Sequence, residues 1–478
     1  MKQPRFLKRR TKIVCTIGPA TSSAPIIERL IRSGMNVARL NLSHGTHSTH
    51  AQYIRTVRRL SQRLGIKVAI LMDLPGPKYR IGRLKDGQAI LKNGDMLTLT
   101  TEDVEGDAML VPVNLHTLPQ DVKVGDKVLL DDGAMQLRVL EKQGNRVVCR
   151  VTSGGMLTEG RGLVVPGMRT SGPFITEELG EHILFAIKEA PEYIAISFVS
   201  SDEDVSGVKE TLRRTSADIP IIAKIEKVQA VKDFDDILKV SDGIMVARGD
   251  LGVDIPLERV PMVQKDIINK CNQVGKPVIT ATQMLESMVN AARPTRAEVT
   301  DVANAILDGT DATMLSAETS IGKYPIQTVR TMSRIAQETE KRLSYTHFIN
   351  EKSTCIESQT DELISYSACY TADSLGAAAI VAFTQSGSTA MRVSKYRPRV
   401  PILAITPSNL VSSRLLLYWG VYPFQISPAS TVDELFSSGA KLARDLGLAK
   451  PGDLIVITGG VPIGVAGLTN LLKVEKIK

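Results

Sequence analysis

The sequence predicts an α/β protein: a closed (β/α)8 barrel of the TIM class, an all-β lid domain inserted into it, and a C-terminal α/β domain. Short apolar, β-branched runs alternate with segments of helical period, which implies a parallel sheet covered by helices. Eight such runs recur before residue 345, the number that closes a barrel. One long stretch between the third and fourth runs has no helical period at all.

In chain order the runs are Lys12–Gly18, Asn36–Ser43, Val68–Leu74, Tyr193–Val199, Pro220–Glu226, Gly243–Leu251, Pro277–Met284 and Ala312–Thr319. Between them Ala24–Ser33, Thr49–Leu64 and Asp202–Thr215 are amphipathic. Thr295-Arg296-Ala297-Glu298 is a capping box, and Val299, Val302, Ala303 and Ile306 form the apolar face of the helix it starts. The interrupting stretch, 78–172, holds β-type runs at Met96–Thr100, Lys127–Leu130, Leu137–Glu141 and Arg146–Val151, separated by Asp-Gly and Asn-Gly turns. It reads as a β-barrel lid over the barrel mouth, leaving 1–77 and 173–345 as the catalytic barrel. Residues 346–478 begin a second alternation, with strands at Ala378–Thr384, Pro401–Thr406 and Asp453–Thr458, and form a regulatory α/β domain.

Composition narrows the function classes. Of 478 residues, 43% are hydrophobic and 23% charged, ample for a large core. The cysteines Cys15, Cys149, Cys271, Cys355 and Cys369 are scattered without a CxxC pair, which points to reduced thiols in the cytoplasm and away from zinc. The apolar stretch Ile13–Ile17 is too short for a signal segment or a membrane span. The formal charge of +8 is concentrated in Lys2, Arg5, Lys8, Arg9, Arg10 and Lys12. Without interleaved aromatics, that arm reads as a solvated terminus rather than a nucleic-acid platform.

Chemistry enters where the runs end in charge. A buried parallel strand is nearly all apolar, yet Lys224 and Glu226 close the fifth run and Arg248 and Asp250 the sixth. In barrels the C-terminal strand ends form one face, where sites are built. Two carboxylates and a lysine gathered there imply a divalent cation holding an anionic substrate. Mg²⁺ suits an all-oxygen donor set, and Mn²⁺ can substitute. The competing reading pairs the carboxylates with Lys224 and Arg248 as plain strand-end caps. The glycines in Arg248-Gly249-Asp250-Leu251-Gly252 favour the metal, since they let backbone amides approach an anion.

Other runs add Arg39, Asn41, Ser43 and His44, then Asp73, Ser197, Thr282 with Gln283, and Ser316 with Glu318. Arg39, Lys224 and Arg80 would surround a transferring phosphoryl group with positive charge. Neither a P-loop nor a well-placed GxGxxG is present. In the last domain Thr384-Gln385-Ser386-Gly387-Ser388-Thr389 lies between a strand and a helix starting near Ala390. It is either a phosphate cradle or an ordinary Ser/Thr cap.

These motifs resemble the pyruvate kinase family, of the bacterial kind, over almost the full length. The matching stretches are TKIVCTIGPA (11–20), NVARLNLSHG (36–45), MDLPGPK (72–78), VARGDLGV (246–253), TATQMLESM (280–288) and LDGTDATMLSAET (307–319). The resemblance implies phosphoryl transfer from phosphoenolpyruvate to ADP, giving pyruvate and ATP, in a homotetramer. It implies that Glu226 and Asp250 hold Mg²⁺ and that Arg39 and Lys224 stabilise the moving phosphoryl group. Gly249, Asp250 and Thr282, with Ser197, match the substrate-binding side, and Thr282 and Ser316 are candidates for the proton-delivering network. Arg80, His44 and Asn41 match nucleotide-side contacts.

Two departures from the family pattern carry expectations. Asn41, Ser43, Asp73 and the Leu74 carbonyl match a potassium site, but Lys78 stands where potassium-dependent members carry Glu, and Leu74-Pro75 replaces a polar pair. A lysine ammonium could supply that charge, so catalysis without K⁺ is expected. The effector loop at Thr384, Ser386, Gly387, Ser388 and Thr389 matches, but Gly459–Gly467 lacks the Trp and Arg that clamp a second phosphate. A sugar monophosphate or nucleotide is therefore the expected effector. The alternative enzyme class is a Mg²⁺-dependent barrel lyase or aldolase acting on pyruvate enolates; a sugar-phosphate-binding regulator is the non-catalytic alternative.

Overall fold

The computed structural model describes residues 9–114, 116–131, 133–345, 358–427 and 431–478. Lys2, Arg5, Lys8 and Cys355 lie outside them.

Eight parallel strands close a barrel: β1 (Lys12–Thr16), β2 (Val37–Asn41), β3 (Ala69–Leu74), β4 (Tyr193–Ile196), β5 (Ile221–Ile225), β6 (Gly243–Ala247), β7 (Val278–Ala281) and β8 (Ala312–Leu315). β8 returns to β1 in register, Lys12 opposite Ala312 and Cys15 opposite Leu315. Nearly every strand residue is buried because both faces are covered: alternate side chains meet the helices outside or one another inside. The inner layer contains Val14, Val37, Leu71, Met245, Ile279 and Met314, and it is capped from below by Leu416 and Leu417 of the C-terminal domain.

The capping box forms as expected: Thr295 Oγ1 accepts the Glu298 N–H at 3.2 Å and starts the helix Arg296–Leu307. Val302 and Ile306 are buried, but Val299 is exposed, because the first turn projects past the barrel's apolar surface.

The insertion between β3 and β4 carries a seven-stranded sheet, a two-stranded ribbon and a core of its own. The sheet curls until Ile81 and Val113 bridge near its two edges. At the crossing into it, a Cβ on Gly76 would lie 2.0 Å from the Ser197 carbonyl oxygen, so only glycine lets the chain pass. The C-terminal sheet orders Val421–Gln425, Ile402–Thr406, Ile380–Phe383, Leu454–Gly459 and Leu471–Lys476. The last strand is antiparallel to its neighbour.

The basic segment departs from the expectation of a solvated terminus where it is described: Arg9 and Lys12 are buried. Arg9 donates to the Gly34 carbonyl and Asn36 Oδ1, both at 2.6 Å. The Arg10 and Thr11 N–H groups bind the Glu340 carboxylate at 2.9 and 2.7 Å. Lys12 Nζ reaches the Val421 carbonyl at 2.5 Å and lies 4.7 Å from the Tyr422 ring centre. The segment is a strap fixing the C-terminal domain to the barrel floor. Local charge counting missed it because Glu340 and Val421, the partners of Arg10 and Lys12, lie 330 and 409 residues away.

Arg397 completes that floor. Buried, with φ +52°, it donates to Asp311 at 2.8 Å and to the Gly309 carbonyl at 2.8 Å. Among the described residues no helix is long and apolar enough to cross a membrane.

Candidate active site

The chain ends β5 in Lys224-Ile225-Glu226 and β3 in Asp73-Leu74, side by side with β4 between them. Lys224 Nζ therefore meets three oxygens: Ser197 Oγ at 2.6 Å, Glu226 Oε1 at 3.0 Å and Asp73 Oδ1 at 3.2 Å. Arg39, from β2, bonds Asp73 Oδ2 at 2.7 Å through Nε and Thr16 Oγ1 at 2.9 Å through Nη1. One buried carboxylate thus anchors both cations. Burial alone would raise the Asp73 pKa, but Lys224 and Arg39 outweigh it and hold the group below the usual aspartate range. For Lys224, burial pulls downward while Asp73 and Glu226 pull upward and win, so the ammonium stays charged. Loss of either cation would leave Asp73 buried and underpaired.

Glu226 is shifted the other way. Burial and the neighbouring Asp250 charge raise its pKa despite Lys224. Its other oxygen accepts the Phe198 N–H at 2.6 Å. Among the described residues Asp250 has a single cationic contact, Lys78 Nζ at 3.3 Å, and its side chain is 36% exposed. Two carboxylates that repel each other beside a cleft fit a hard divalent cation completed by substrate and water oxygens. Among the described residues no cluster of three or more His, Cys, Asp or Glu could hold a metal, so a site here would rest on this pair.

The expected coordination of Lys78 near the potassium-matched residues is not what the geometry gives. Its ammonium lies on Asp250 and 5.2 Å from the Phe198 ring centre, while Asp73 is committed to Arg39 and Lys224. Asn41 Oδ1 accepts the Ser43 N–H at 3.3 Å, and Ser43 and His44 are exposed at the end of β2. Arg80 is exposed on the insertion and bonded to the Gly160 carbonyl at 3.2 Å. The insertion does reach the mouth: Lys78, Tyr79, Leu163 and Val165 line a cleft with Glu226 and Asp250.

After β7 the backbone is strained. Thr282 and Gln283 have φ +66° and +53°, left-handed values that cost a β-branched residue roughly 1–3 kcal/mol. The Thr282 hydroxyl accepts the Gly249 N–H at 2.8 Å. After β8, the Ser316 Oγ is buried without a hydrogen-bond partner among the described residues, and the Ser316 N–H donates to Glu318 at 2.7 Å. Burial raises the Glu318 pKa.

The alternative of capped strand ends holds in part, for Lys224 pairs with Glu226. Arg248 turns away from Asp250 and pairs with Asp301 at 2.7 Å. Sequence reasoning also missed Phe198, whose φ of +59° aims its N–H at Glu226. No local signal marks it.

In the C-terminal domain the helix starts at Ser388, two residues before Ala390. Two of the loop's hydroxyls serve internal bonds: Thr384 Oγ1 accepts the Gly387 N–H at 2.9 Å, and Thr389 pairs with Thr469 at 2.9 Å. Gln385 and Ser386 are exposed, and Ser386 Oγ contacts Ser388 Oγ at 3.2 Å. Thr384, Ser388 and Thr389 line a cleft of about 970 Å³, open to solvent, with Gly460, Gly464 and Gly467 opposite.

Comparison with known proteins agrees with this architecture. Residues 8–329 match the model for the pyruvate kinase barrel domain, and 362–475 that for the pyruvate kinase alpha/beta domain. The chain is 47% identical over 474 residues to a pyruvate kinase of Geobacillus stearothermophilus, covering 98% of this chain and 81% of the relative. It is 46% identical over 471 residues to one of Staphylococcus aureus, covering 98% and 80%. A crystal structure of a pyruvate kinase from Cryptosporidium parvum superposes with a TM-score of 0.95 at 36% identity, covering 100% of this chain and 98% of that one. Three domains, the strand-end charges and these matches together establish that the chain belongs to the pyruvate kinase family and carries that family's activity.

Proposed function

We propose that this enzyme moves the phosphoryl group of phosphoenolpyruvate to ADP, giving pyruvate and ATP, at the mouth lined by Arg39, Lys224, Glu226, Asp250, Thr282 and Ser316. The observation that carries this reading is the charged Lys224 ammonium, fixed by Asp73, Ser197 and Glu226 beside the Asp73-anchored Arg39. Two cations preset at one spot suit a transfer whose catalysis is mostly positioning and charge stabilisation. Glu226 and Asp250 would hold Mg²⁺, or Mn²⁺ in its place, whose chemistry there is to neutralise enolate and phosphate oxygens. The Gly249 and Asp250 amides and the Thr282 hydroxyl would take the substrate carboxylate, with Ser197 close by. The unpartnered Ser316 hydroxyl and Thr282 would pass the proton to the enolate carbon. Asn41, His44 and Arg80 would meet the nucleotide as 78–172 closes over 1–77 and 173–345, with 346–478 regulatory.

Turnover without K⁺ at the Asn41, Ser43, Asp73 and Leu74 position would rest on Lys78 supplying its charge from the Asp250 side of the cleft, where its ammonium lies 3.3 Å from that carboxylate. The Thr384–Thr389 loop and its glycine-lined cleft support a sugar-monophosphate or nucleotide effector. We place the enzyme in the cytoplasm as a homotetramer. A single assay tests the central reading: with phosphoenolpyruvate, ADP and Mg²⁺ in K⁺-free buffer, pyruvate and ATP form in equal amounts. Failure to form either product, with pyruvate released instead by C–C cleavage of a 4-hydroxy-2-oxo acid, would move the chain to the lyase class, and a large activation by K⁺ would remove the role given to Lys78.

A further inference from the structure

Arg248 leaves β6 directly before Gly249 and Asp250, and its side chain is only 10% exposed. Its guanidinium does not face the substrate cleft. Nη2 donates to the Thr282 carbonyl at 2.8 Å, reaches the Gln283 carbonyl at 3.3 Å and contacts the Met284 sulfur at 2.8 Å. Nη1 donates to Asp301 at 2.7 Å and to Gln264 at 3.3 Å.

The two carbonyls it grips belong to the two residues held at positive φ. A non-glycine residue stays in that region only when its surroundings over-determine it. Released, the Thr282 peptide would relax toward an ordinary strand conformation and carry the hydroxyl away from the Gly249 N–H. The β6 and β7 turns are therefore tied twice, once by the Gly249 N–H to the Thr282 hydroxyl and once by Arg248 to the carbonyls behind it. Asp301, on the helix that follows β7, orients the fork. A planar guanidinium can serve an acid and two carbonyls together, whereas a lysine ammonium is a single point on a flexible stem.

We propose that Arg248, oriented by Asp301, is a positioning residue that holds Thr282 in its reactive geometry. The proposal rests on the role given above to Thr282. Arg248 touches neither substrate nor metal; it acts through the peptide it clamps.

A double-mutant cycle on the full-length enzyme tests it, with kcat, the KM values for phosphoenolpyruvate and ADP, and Tm measured for Arg248→Lys, Thr282→Ala and the pair. Arg248→Lys is expected to lower kcat roughly 100-fold, the effect of about 1 Å of misplacement, with KM for ADP and Tm almost unchanged. In the Thr282→Ala background the same change should lower kcat less than about threefold, because the group it positions is gone. Multiplicative losses in the pair, or an Arg248→Lys enzyme with native kcat, would overturn the role of Arg248 alone. A Thr282→Ala enzyme with native kcat would overturn the role of Thr282, and this proposal with it. If Arg248→Lys fails to fold, Asp301→Asn takes its place in the cycle. Its loss of kcat should be smaller and should likewise vanish in the Thr282→Ala background, and a loss that persists there would overturn the proposal.

Discussion

The two ends of the barrel bury charge in opposite ways. At the floor the carboxylates are saturated. Asp311 accepts from Arg397 at 2.8 Å, the Trp419 N–H at 3.1 Å and the Val278 N–H at 3.0 Å. Glu340 accepts the Arg10 and Thr11 N–H groups. At the mouth Asp73 is paired as fully, but among the described residues Asp250 has one cationic contact, at 3.3 Å, and Ser316 Oγ has no partner. Saturated charge at one end glues two domains together, whereas under-satisfied charge at the other end waits for ligands. Burying a charge says little about purpose until its bonds are traced.

Breaking each end should therefore fail differently. The largest effect belongs to the mouth. Glu226→Gln with Asp250→Asn should lower turnover by roughly a thousandfold or more while leaving Tm close to native, read by steady-state kinetics and calorimetry. Paramagnetic titration with Mn²⁺ should show the binding lost. A double variant with near-native turnover would remove the distinction drawn between the ends.

Next comes the floor. Asp311→Asn leaves the buried Arg397 guanidinium without its acid and should lower stability by about 3–5 kcal/mol, with kcat at saturating substrate unchanged. Chemical denaturation followed against activity separates the two.

Smaller again is a pH effect at Lys12, whose ammonium is pushed down to about 7, first by burial and then by the Arg9 charge. Between that value and the ordinary lysine range the unfolded chain binds the extra proton, so stability should rise with pH there, by up to about 1.4 kcal/mol per unit. Lys12→Met should flatten the rise, and a slope unchanged by that substitution would assign it elsewhere. The smallest change, Thr295→Ala, should cost about 1 kcal/mol at the capped helix and leave catalysis alone, as a melting curve would report.

The same contrast explains what could be foreseen from the chain. Parallel strands buried on both faces announce themselves as apolar runs, so Ile221–Ile225 and Gly243–Ala247 were legible, and so was the oddity of Lys224, Glu226 and Asp250 at their ends. Turn pairs exposed the insertion. Partnership was not legible. The competing reading paired Arg248 with a nearby carboxylate such as Asp250, two residues away, but its acid is Asp301, 53 residues on and on another helix. Lys78 finds Asp250 across 172 residues. The strands Val421–Gln425 and Leu471–Lys476 do not stand out in the sequence because an edge position, half wetted and carrying Pro423 or the charges Lys473, Glu475 and Lys476, weakens the apolar signature.

Trp419 is the only tryptophan in the sequence. It is 2% exposed at the junction of the barrel floor with the C-terminal domain, and the Arg397 guanidinium lies 5.2 Å from its ring centre. The chain thereby carries a single optical gauge where the barrel floor meets the C-terminal domain. Its emission maximum and quenching by the neighbouring cations will report separation of the two bodies in the native sequence, with no label attached.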